Sequence, residues 1–137
     1  MIALCAAMLV LAACSPEEAG GIALSVSEGD VVAHVVICDG ELDGVLVQTV
    51  EEDVLDTSFE VPAKRDLDAR LASVSSMTDL LEPGEVYEVF GYSGDNAWNA
   101  YGPEFTLEEL TGLKAGELLV EGGVITKPLD SWRDETC

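Results

Sequence analysis

The chain has 137 residues, 48% of them hydrophobic, and carries 27 Asp and Glu against 6 Lys and Arg for a net charge of −21. A field of that sign repels phosphates, so DNA and RNA are not expected as partners. The length and apolar content fit one domain with one core.

Met1 to Ala13 carries no charge and ends in Leu11-Ala12-Ala13-Cys14. An apolar run of this length is too short to span a hydrocarbon core, which takes roughly 20 helical residues. The polar Ser15-Pro16-Glu17-Glu18 that follows cannot extend it. The segment resembles a bacterial lipoprotein signal peptide, in which an apolar residue and two small residues precede a cysteine that receives a diacylglyceryl group before cleavage. The resemblance implies a signal peptide over 1–13, lipidation of Cys14, fatty acylation of the palmitate type, and a membrane anchor. It places the chain outside the cytoplasm, on the outer face of the cell membrane or, in a two-membrane cell, on the outer membrane, since Ser15 is not the aspartate that signals retention. The first cation is Lys64; a signal peptide normally opens on a positive n-region, so the natural start is expected upstream of Met1. Residues 14–21 are expected to be the lipidated cysteine and a short flexible tether rich in small residues, and 22–137 the folded domain.

Ile22–Ser27 alternates apolar with small or polar residues, and Val31–Cys38 is rich in β-branched residues; both read as strands around the turn Glu28-Gly29-Asp30. Asp39-Gly40 and Asp43-Gly44 bracket a turn, with a third strand, Val45–Val50, expected to follow as a hairpin partner. Thr57–Val61 reads as a short strand stopped by Pro62. From Lys64 to Ser76 helical spacing (Leu67, Leu71, Val74) competes with a strand reading. Gly84–Tyr92 alternates again, Thr106-Leu-Glu-Glu109 has the form of a capping box opening a helical turn through Leu113, and Leu118–Glu121 with Val124–Lys127 reads as a final hairpin.

Short strands with frequent turn signals predict a mainly β fold, a single antiparallel β-sandwich with one or two short helical turns. Leu81-Glu82-Pro83-Gly84-Glu85-Val86-Tyr87 resembles the turn before strand F of fibronectin type III and immunoglobulin-like domains, which implies a tyrosine corner in which Tyr87 bonds back to nearby backbone. Val89 stands where an antibody domain has its second cysteine. Of four cysteines, Cys5 leaves with the signal and Cys14 takes the lipid. Cys38 and Cys137 remain, and a disulfide between them is expected in an oxidising compartment, with Trp132 packed beside it.

No catalytic constellation is expected. His34 is the single histidine and sits inside a strand, where a structural role is the ordinary one; a Ser-His-Asp triad would have to use it, and no serine lies in a nucleophile turn. No His-Cys zinc spacing and no phosphate-cradling loop occur, so no cofactor is expected. Asp39, Glu41 and Asp43 have the spacing of a calcium loop's opening, but its twelfth position is Val50, which brings no carboxylate; turn chemistry explains the same residues. The segment 93–103 reads as a loop between two strands and gathers Asn96, Trp98, Asn99 and Tyr101, the aromatic and amide groups that sugar or peptide sites use, as a candidate binding loop; the alternative is that Trp98 and Tyr101 fold back over the core edge. The chain is therefore expected to be a non-catalytic binding or structural module of the cell envelope, taking a protein, peptide or sugar. A second expectation is an accessory subunit or inhibitor that docks on a membrane enzyme or transporter through its acidic face, and an envelope hydrolase is the reserve alternative.

Overall fold

The computed structural model describes residues 15–51 and 66–137. In chain order the elements are β1 (Glu17–Ser27), β2 (Asp30–Ile37), β3 (Gly44–Thr49), β4 (Leu67–Ser73), α1 (Val74–Leu80), β5 (Tyr87–Tyr92), β6 (Trp98–Phe105), α2 (Leu107–Thr111), β7 (Leu118–Val120), β8 (Gly123–Ile125) and α3 (Leu129–Thr136). The strand expected at Thr57–Val61 lies outside the described residues, as do Cys5 and Cys14.

The fold is mainly β. β1 and β2 pair antiparallel over the two-residue turn Glu28-Gly29, whose φ values of 51° and 81° suit the twist of the flanking strands. The strand order is β3-β5-β6-β1-β2-β4, with β7 joined to β1 and β8 to β7. The pairings β1–β2–β4 on one side and β3–β5–β6 on the other reproduce the A-B-E and C-F-G groupings of an immunoglobulin-like sandwich. Three expectations are corrected. The sheet is mixed, because β1 runs parallel to β6 over Glu17–Gly21. β2 and β3 are not a hairpin; residues 38–43 cross from one strand group to the other, and β3 pairs with β5 instead. Three short helices, not one or two, occur among the described residues.

The tether is corrected as well: β1 opens at Glu17, inside the segment that composition marked as flexible. Ala19 is fully buried, and a Cβ on Gly20 would stand 1.8 Å from the Val36 carbonyl oxygen. The glycine is there for close backbone approach, not for flexibility.

The main core draws Ile22 and Leu24 from β1, Val31, Ala33 and Val35 from β2, Val45 and Val47 from β3, Leu71 from β4, Tyr87 and Val89 from β5 and Phe105 from β6, closed by Met77 of α1 and Leu107 and Leu110 of α2. The tyrosine corner is present: the Glu82 amide donates to the Tyr87 phenol oxygen at 2.8 Å. So is the capping box of α2, with the Glu109 amide donating to Thr106 Oγ1 and the Thr106 amide donating to Glu109. In the segment that read two ways, β4 comes first and α1 follows, capped by Ser73 Oγ accepting from the Ser76 amide at 3.1 Å.

A second, smaller cluster lies on the outer face of β1–β2. Trp132 of α3 packs there on Ala23, Val36 and Leu118. The Cys38–Cys137 disulfide, with a Cα–Cα separation of 5.3 Å, ties the end of α3 to the end of β2 across 99 residues of sequence.

Candidate functional site

The two strand groups present outer faces of different character. On β3–β5–β6 the register sets Leu46, Phe90 and Tyr101 in one row and Gln48, Glu88 and Glu104 in the next. Between these rows one residue of β5, Val89, opposes two of β6, a bulge at Gly102-Pro103. Proline has no amide to give the ladder, and a Cβ on Gly102 would stand 2.6 Å from the Val89 side chain. The bulge leaves Tyr101 53% exposed. A groove of about 620 Å³ runs from Tyr101 to the β7–β8 turn, walled by Glu88, Glu104, Glu109 and Glu121, with no cation in its lining. Glu88 and Glu104 are direct cross-strand partners, a like-charge pairing that costs stability. Glu88 accepts a 2.6 Å hydrogen bond from the Gln48 amide group.

The residues singled out in 93–103 divide. β6 starts at Trp98, so the turn is only 93–97 and Asn99 and Tyr101 are strand residues. The turn is held tightly: the buried Ser93 hydroxyl donates to Asp95 at 2.8 Å and accepts from the Trp98 amide at 2.9 Å, and the Gly94 amide donates to Asp43 at 2.6 Å. The amide of Ala97 and the hydroxyl of Ser93 hold the Asp95 carboxyl below the usual carboxylate range. Asn96 takes the left-handed conformation, φ 57°, which asparagine tolerates in turns. Trp98 is half-buried against the core, its indole lying where a Cβ on Gly40 would stand, 2.1 Å away. It closes the core edge, whereas Tyr101 faces outward and accepts from the Asn99 amide group at 2.9 Å.

Of the calcium candidates, Asp39 accepts from the Gly40 amide at 2.9 Å and Asp43 from that of Gly94. Glu41 is exposed. Among the described residues no three metal-binding side chains converge.

The outer face of β1–β2–β4 carries a constellation that sequence reasoning did not assemble. Ser25 Oγ lies 2.8 Å from His34 Nε2, and His34 Nδ1 lies 2.7 Å from Asp68 Oδ1. The register pairs His34 with Ala23 on one side and with Asp68 on the other, which places Ser25 one diagonal step along β1. Arg133 of α3 also donates to Asp68 Oδ1. Partial burial pushes the Asp68 carboxyl up, but the hydrogen bonds of His34 and Arg133, with the Arg133 charge and that of His34 once protonated, outweigh it and leave it below its ordinary value. Ser25 and His34 form part of the wall of a cavity of about 710 Å³ that reaches to Leu118, Lys127 and Leu129. The sequence signal available was the alternation that sets Ser25 and His34 on outward positions of adjacent strands. Asp68 depended on the β2–β4 register, which no local pattern encodes.

Comparison with family models, curated proteins and solved structures gives no match. No helix among the described residues is long and apolar enough to cross a membrane.

Proposed function

We propose that the protein is a membrane-anchored extracytoplasmic lipoprotein whose immunoglobulin-like domain serves as a binding or structural module of the bacterial cell envelope, held through a lipidated Cys14. What carries the reading is the run Leu11-Ala12-Ala13-Cys14 followed, after only Ser15-Pro16, by the first strand at Glu17. The Cys38–Cys137 pairing supports it, because disulfides persist in oxidising compartments.

So short a spacer has a geometric consequence. The described chain enters the fold at Glu17, the register partner of Trp98, and the Ala97 carbonyl accepts from the Glu17 amide at 2.9 Å. The turn 93–97 and the segment 38–43 packed on it then face the bilayer. The contact surface left for a partner is the outer face of β3–β5–β6, with the row Leu46, Phe90 and Tyr101 beside the row that holds Glu88 and Glu104. The test is the intact mass and membrane partitioning of the natively expressed protein beside Cys14→Ser. Cleavage before residue 14 with a diacylglyceryl group, lost in the variant, is the expected result; an unmodified soluble chain overturns the reading.

A second reading, docking on a membrane enzyme or transporter as an accessory subunit or inhibitor, is favoured by the groove of Glu88, Glu104, Glu109 and Glu121, which suits a basic partner surface. Association that weakens steeply with salt is its signature. Salt-insensitive binding lost in Tyr101→Ala points instead to the apolar row.

A further inference from the structure

We propose that Ser25 is an acyl-accepting nucleophile, with His34 as its general base and Asp68 orienting the imidazole, and that the adjoining cavity receives the acyl part of small carboxylic esters. This goes beyond the anchored module and does not rest on it.

The geometry has both links that nucleophile activation requires, a 2.8 Å contact from hydroxyl to imidazole and a 2.7 Å contact from imidazole to carboxylate. An ionised carboxylate only accepts, so Asp68 fixes the Nδ1 proton of a neutral His34 and leaves the Nε2 lone pair for the Ser25 hydroxyl proton. Three separate strands supply the three groups. The carboxylate is held from the far side by Arg133, on a helix that the disulfide secures. His34 is 8% exposed, which shields it from water, and Ser25 is more open, at the wall of the 710 Å³ cavity. Val26, Leu118 and Leu129 give that cavity an apolar side suited to an acyl chain, and Lys127 is the one cation in its lining.

In the step itself Ser25 Oγ forms a bond to the ester carbonyl carbon as its proton passes to His34 Nε2. The bond from that carbon to the alcohol oxygen then breaks, and the departing oxygen takes the proton back from His34. Ser25 lies within a strand and lacks the strand-to-helix turn whose amides stabilise an oxyanion. An activated aryl ester then acylates faster than the resulting serine ester hydrolyses, so the adduct accumulates instead of turning over.

The experiment incubates the full chain with para-nitrophenyl acetate, follows nitrophenolate release, and maps the acetyl group by peptide mass analysis. It is run on the native protein, on the urea-unfolded protein with its disulfide intact, and on His34→Gln. Expected is a single acetyl group on Ser25 in the native protein. It should be absent from the unfolded chain and form at least about 100-fold more slowly in His34→Gln, the range that a positioned general base supplies. Acetyl groups on lysines alone, or Ser25 labelling equal in the native and unfolded chains, overturn the proposal. Labelling equal in a folded His34→Gln variant does so too, and leaves the three residues as a cross-strand structural network. Should His34→Gln fail to fold, the comparison of native with unfolded protein decides the question alone.

Discussion

The two outer faces of this domain meet the same problem in opposite ways. On β1–β2–β4 the chain returns after β6, lays α3 across the sheet, buries Trp132 and closes the return with a disulfide. Polar groups under that cover are matched to one another, Ser25 with His34, His34 with Asp68, Asp68 with Arg133. On β3–β5–β6 no described helix covers the face, and it carries an exposed tyrosine and two glutamates directly opposed across the strands. A covered face is optimised for stability; an uncovered face that keeps a like-charge pair is a surface whose composition stability alone does not explain.

The sharpest way to break this contrast is to remove the staple. Exchanging Cys38 and Cys137 together for serine frees a loop of 99 residues of separation, and losing a native disulfide of that span costs about 2–5 kcal/mol. Urea unfolding should show the loss, with α3 amides exchanging before those of the core. Unchanged stability would mean that Trp132 alone holds the cover in place. Next in size is the pair Trp98→Ala and Tyr101→Ala. A buried tryptophan costs about 3–5 kcal/mol on truncation, and half-burial reduces that to roughly 2. Tyr101, facing solvent, should cost no more than about 0.5 kcal/mol. Thermal melts of the two variants separate them, and equal losses would show that Tyr101 too is part of the core edge.

Much of the cover was invisible in the sequence, and the reason is physical. Alternation marked β1 and β5, β-branched richness marked β2 and the turn signals before it marked β3, and the tyrosine corner and capping box were legible because their partners lie within five residues. β6 was read as loop because Asn99 and Gly102-Pro103 break its alternation, although the bulge there is made by that glycine and proline. Gly20-Gly21 read as flexible because composition cannot distinguish a glycine that frees the chain from one that lets two backbones touch. In Leu67–Ser73 the strand spacing of Leu67, Ala69 and Leu71 shares residues with a helical one, and pairing with β2 decides between them. α3 is one short helix held by a distant disulfide and a single tryptophan, so the pairing of Cys38 with Cys137 and the placing of Trp132 beside it were its readable traces. The triad geometry lies furthest from the sequence, since it needs two cross-strand registers at once.

A smaller effect sharpens the covered side. The Asp68 carboxyl sits below its unfolded value in the folded state, through His34 and Arg133. Its contribution to stability is therefore complete above the ordinary carboxylate range and is lost as pH falls through that range to the depressed folded value. Asp68 is half exposed, so the effect is modest. Between neutral pH and pH 3 the melting temperature of the wild type should fall more than that of Asp68→Asn, which has already lost the pair. Parallel curves would show that Arg133 and His34 gain nothing from the charge.

The smallest effect has the opposite sign. Glu88→Gln keeps the shape of the side chain and removes one charge from the Glu88–Glu104 pair, so it should raise stability by about 0.2–1 kcal/mol at low salt, with the gain shrinking as salt screens the repulsion. The Gln48 hydrogen bond to position 88 can be re-formed by the new carboxamide oxygen, so the substitution isolates the charge. A gain means that the open face carries a stability cost that packing does not require, which is what a surface reserved for a basic partner predicts. The same variant should then bind such a partner more weakly. A loss on Glu88→Gln would instead make Glu88 a structural acceptor for Gln48 and remove the energetic argument for docking at this groove.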